Sequence, residues 1–163
     1  MIEAPRPATS YDPDEMRELL LSGARADGWL PAHAAMHLLT FTDLPGTPQF
    51  ALHVEVRDAW SPGGPVRGAW VRDWDALLAD PDQYLTGTER RFLEIAASFA
   101  AGRAISLSEQ VTSELGWAHA ERVAEAVIIA ANATGLLQVT GTTKLDELKA
   151  LHESLSSGQA RQP

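Results

Sequence analysis

His33 and His37 stand four residues apart in a stretch that reads as helix. That spacing sets both imidazoles on one face, where a third ligand from elsewhere would complete a metal site. A zinc-protease helix carries Glu directly after its first His, and here the residue is Ala34. Two histidines among Ala, Met and Leu read more readily as a partly buried, hydrogen-bonded strip than as a metal site. His53, His119 and His152 are isolated in the sequence. The carboxylate pairs Asp73/Asp75 and Asp80/Asp82 border helix starts and a proline, so capping and turn chemistry account for them better than acid–base catalysis does. Ser61 and Ser106 lack the Gly-x-Ser-x-Gly setting of an activated nucleophile. Gly63-Gly64 is followed by Pro65 and no Lys-Ser/Thr, so it is no phosphate loop. No cofactor is expected, and no catalytic residue is assigned.

Trp60, Trp70 and Trp74 gather around one segment together with Asp58, Asp73 and Asp75. Tryptophan is favoured at interface anchors, which makes these three the candidate partner-binding residues if they are exposed. The alternative is that they cover a small sheet, each indole N–H finding a partner at its rim.

The elements that position these residues are legible from periodicity and punctuation. Asp12-Pro13-Asp14-Glu15 has the form of a capping box, and Met16, Leu19, Leu20 and Ala24 follow at helical spacing until Gly28. A second helix is expected from Pro31 to about Phe41, stopped by Asp43-Leu44-Pro45-Gly46. Phe50, Leu52, Val54 and Val56 alternate with polar residues as a half-buried strand does. Residues 66–74 return as its antiparallel partner across Ser61–Pro65, a loop longer than two residues. Asp73 caps a short helix through Leu78. Capping-box patterns at Thr86/Glu89 and Ser106/Glu109 open helices 87–101 and 107–115, a third helix covers 118–133, and Leu136–Thr140 is a strand candidate. Leu145, Leu148, Leu151 and Leu155 mark one more helix, followed by a tail from 157 to 163 expected to fray.

The order helix 87–101, helix 107–115, Gly116, helix 118–133, Gly135, then Leu136-Leu137-Gln138-Val139 resembles a winged helix-turn-helix domain. The resemblance implies DNA binding through the third helix, with His119 and Arg122 near its start and Arg90, Arg91 and Arg103 as an adjoining basic patch. It also implies a transcriptional regulator, for which the helix 145–155 is the candidate contact of a homodimer. A recognition helix usually brings several cationic or amide side chains, whereas this one brings Arg122 opposed by Glu121 and Glu125.

Composition sets the outer limits. The 163 residues, 45% of them hydrophobic, are enough for one real core, and one body spanning 1–163 is expected, with sub-regions 12–80 and 86–156. The absence of cysteine excludes disulfides, zinc ribbons and thiol nucleophiles. With no apolar run to cross a bilayer and no signal-peptide-like start, a cytoplasmic protein without membrane partners is expected. Net charge is −9, which repels phosphate backbones and disfavours nucleic acid. Arg outnumbers Lys, as in high-GC bacterial genomes. The fold expected is α+β and mainly helical: an N-terminal helix pair, a small antiparallel β-hairpin and a C-terminal helical, winged-helix-like unit. The function expected first is a non-catalytic protein-interaction or regulatory module. A winged-helix DNA-binding regulator stands second, and an enzyme without a recognisable motif third.

Overall fold

A computed structural model of the chain describes residues 4–81, 85–111, 115–140, 142, 146–147, 149–151 and 153–154. The fold is α+β and mainly helical, with one two-stranded antiparallel sheet. Among the described residues no helix is long and apolar enough to cross a membrane.

The N-terminal helix pair forms where local signals are strongest. Helix α1, Pro13–Asp27, opens on a complete capping box: the Asp12 carboxylate accepts from the backbone N–H groups of Asp14 and Glu15, while Glu15 accepts from the Asp12 N–H. Gly28, in the left-handed conformation, closes it. Helix α2, Leu30–Leu39, is almost wholly apolar and buries Ala34, Ala35, Met36, Leu38 and Leu39. It forms the central strut of the molecule, packed against α1 and against the C-terminal helices α5 and α7, Gly87–Ala101 and Trp117–Ala130.

The sheet differs from expectation at both ends. Phe50–Leu52 is not strand but part of a short helix α3, Pro48–Leu52; Thr47 accepts from the Phe50 N–H and Pro48 sits at the first helical position. Phe50 is buried by this turn, so its apolar character served the core rather than a pleat. Strand β1 then runs Val54–Ser61 and β2 runs Gly64–Val71, in the register Val54↔Val71 to Ser61↔Gly64. The connecting turn is therefore two residues, Pro62-Gly63, and not a longer loop. Proline cannot take the positive φ of the usual hairpin turns, and Gly64 supplies it instead at φ 112°.

Because directly opposed residues share a face, Val54, Val56, Val71 and Ala69 form the inward side of the hairpin, and Val54 and Ala69 are buried in the core. Helix α1 covers the outer edge of β2. Ser22 Oγ donates to the Arg67 carbonyl at 2.8 Å, and a Cβ on Gly23 would meet the Ala69 backbone. That contact shields an edge otherwise open to aberrant pairing.

Asp73 caps the short helix α4, Trp74–Ala79, accepting from the backbone of Asp75 and Ala76. His53 Nε2 lies 2.6 Å from Asp80 Oδ2, tying the end of α3 to the end of α4. Helix α5 has the expected capping box at Thr86 and Glu89 and buries Phe92, Leu93, Ile95, Ala96 and Ala97.

Helix α6 is shorter than expected, Leu107–Gln110, with residues 112–114 of the expected element outside the described residues. Ser106 makes no capping bond; its hydroxyl lies 3.1 Å from that of Ser108. Leu136–Thr140 is not a strand. Its start is held in a turn by the Ala133 carbonyl, which accepts from Leu136 and Leu137, and Leu136 is 86% exposed. An aliphatic run signals a strand only where it pairs with a partner edge, and among the described residues none pairs with it. Residues 149–151 are helical, and Lys149 Nζ reaches Glu121 on α7 at 2.8 Å; Leu145, Leu148, Leu155 and the tail 157–163 lie outside the described residues.

Candidate interaction surface

The register separates the three hairpin tryptophans. Trp70 stands opposite Glu55 and Trp60 opposite Pro65, an odd offset along β1, so the two indoles lie on opposite faces of the ribbon. Trp70 is half-buried. Its Nε1–H donates to Asp27 at 2.9 Å, and the Arg57 guanidinium lies 4.3 Å above its ring. Trp74, at the start of α4, packs against the core. Trp60 alone is released to solvent, 78% exposed near the turn, beside exposed Pro62, Gly63 and Pro65. The tryptophans thus do not form one cluster: Trp70 and Trp74 are structural, and Trp60 is the exposed one.

The physical cause is the length of the ribbon. Its first half rests on the core and on α1, whereas the last residues before the turn overhang them. Asp58 and Arg67, paired at 2.8 Å, span the ribbon where burial ends. Arg67 holds the Asp58 carboxyl below the usual carboxylate range through its hydrogen bond.

The residues read as a DNA-contact set are engaged within the protein. Arg103, just past the end of α5, pairs with Asp75 on α4, and Arg90 of α5 donates to the Leu78 carbonyl on the same short helix, so both fasten α4 to this part of the chain. Arg91 has an interaction partner too. His119 packs edge-on against Phe41 and Phe92, with ring centroids 5.4 and 5.1 Å away. Arg122 donates to Glu125 at 2.9 Å and lies 4.8 Å above the Phe41 ring.

Arg122 and His37 are brought together by a residue that sequence reasoning noted only as a charge opposing Arg122. Glu125 Oε2, on α7, lies 2.8 Å from His37 Nε2 on α2. Burial acts to raise the Glu125 pKa, but the His37 hydrogen bond and the charge of Arg122 outweigh it and hold it below the ordinary glutamate range. His33 is pushed the other way from a cationic site: burial first, then Arg25 and His37, lower its pKa and favour the neutral ring. Among the described residues no group of three His, Asp or Glu is placed to hold a metal ion. His37 works as the polar latch of the α2–α7 seam.

Against protein-family models, curated proteins and solved structures the chain has no match.

Proposed function

We propose that this chain is a non-catalytic protein-interaction module that binds through the distal end of its β-hairpin. Trp60 carries the reading. An indole left 78% exposed, on a protein that buries side chains as large as Phe50 and Phe92 completely, keeps a large apolar surface in water. Covering a side chain of this size is worth roughly 1.5–3 kcal/mol. It stands on a strand rather than on a free loop, so little order is lost when a partner covers it. A cysteine-free, acidic chain fits a cytoplasmic setting for that partner. DNA binding through α7 has less support, since Arg103 and Arg122 are already paired with carboxylates.

Affinity capture with the wild-type chain and with Trp60→Ala tests this. Trp60→Ala is expected to keep the fold, as judged by circular dichroism, and to lose the captured protein. Equal capture by both chains would refute the hairpin as the contact surface.

A further inference from the structure

The two edges of the sheet are treated differently. In β2, Arg67 and Ala69 direct their backbone groups away from β1, toward Ser22 and Gly23 of α1. In β1, the residues facing outward are Val56, Asp58 and Trp60. Among the described residues their backbone N–H and C=O groups make no hydrogen bond. Of the two edges, that of β1 is thus the one whose outward backbone groups are left unbonded among the described residues, and a two-stranded ribbon gains most from added strands.

We propose that β1 pairs antiparallel with β1 of a second copy, with Val56 on the two-fold axis, giving a four-stranded sheet. The inference rests on the reading of the hairpin as a contact surface and names its occupant. What selects the second copy is charge. With Val56 on the axis, Glu55 of each copy stands directly opposite Arg57 of the other, in a non-hydrogen-bonded pair where side chains are closest. Both residues are exposed, and within one chain they approach only to 3.9 Å. Moving the axis to Glu55, Arg57 or Asp58 sets a like pair face to face at each choice, Glu on Glu, Arg on Arg or Asp on Asp. The strand is thus self-complementary in one register and self-repelling in its neighbours, as isologous contacts require.

The same register carries exposed Trp60 past the end of the other ladder, toward the position of Leu52, which is 63% exposed. Two apolar contacts at the rim then flank two central ion pairs. An interface of this size gives a weak, concentration-dependent dimer.

Sedimentation equilibrium of the full chain tests the pairing on wild type, Glu55→Arg, Arg57→Glu and the double exchange E55R/R57E. Wild type is expected to move from 17.6 kDa toward twice that mass as concentration rises. Each single reversal sets two like pairs face to face and should weaken association about tenfold or more; the double exchange restores it. Circular dichroism confirms that each variant is folded. A wild-type chain that stays monomeric at all concentrations overturns the inference, as does a dimer indifferent to the single reversals. If the chain is monomeric while Trp60→Ala still abolishes capture of another protein, the self-pairing falls and the contact surface stands.

Discussion

Gly23 of α1 and Gly68 of β2 meet backbone to backbone: a Cβ on Gly68 would stand 2.5 Å from the Gly23 Cα, and one on Gly23 2.4 Å from the Ala69 carbonyl oxygen. Neither neighbour is a flexible side-chain end, so relief requires α1 to move off the sheet. Gly23→Ala and Gly68→Ala are each expected to destabilise the protein by about 3 kcal/mol in urea unfolding. Gly63→Ala, with nothing within 4 Å of the added methyl, serves as the near-neutral control.

The hairpin tryptophans should separate by role. Trp60→Ala should change stability by about 0.5 kcal/mol or less, because an exposed side chain contributes little to the fold. Trp70→Phe removes the bond to Asp27 and should cost about 1 kcal/mol. Trp74→Ala, which opens a gap at the core, should cost about 2 kcal/mol. Acrylamide quenching provides an independent check, since Trp60→Ala should remove the most accessible part of the emission.

Local signals explain why so much of the fold is legible in the sequence. The capping boxes at Asp12/Glu15 and Thr86/Glu89 need only three residues each, and both form as the sequence implies. The start of β1 is misread because Phe50 and Leu52 fit an alternating pattern, while Thr47 and Pro48 close a helical turn over them. Likewise Leu136 to Val139 has strand composition but no partner strand among the described residues. The site depends on longer-range facts. Arg122 and Glu125 are visible as a helical i, i+3 pair, whereas the link to His37 spans 88 residues. That Trp60 is free and Trp70 is not follows from register and from where α1 ends its cover, neither of which composition records.

Glu125 should give the protein a measurable acid sensitivity. Its carboxyl is held below the ordinary range in the folded state, so the unfolded chain binds the proton first as pH falls. The stabilisation is present above the ordinary glutamate pKa of about 4.3 and is lost as pH drops through the lower folded value. Melting temperatures from neutral to strongly acidic pH should therefore fall more steeply for wild type than for Glu125→Gln. Parallel curves would mean that the His37–Glu125–Arg122 contact contributes nothing.

Labelled mixed-sequence duplex DNA should show no salt-dependent rise in anisotropy with this protein. Arg103 and Arg122 already neutralise Asp75 and Glu125, and the net charge of −9 opposes the phosphates. Tight binding at low salt that falls steeply with added salt would restore the helix α7 reading.

Site-specific photocrosslinking shows whether Trp60 marks the contact surface. An aromatic photoreactive residue, which keeps a ring in place of the indole, is put at position 60 of the full chain and, as a control, at exposed Glu109 on α6. Position 60 is predicted to give one dominant crosslinked product, with none at 109. Equal or absent crosslinking at the two positions would contradict the account.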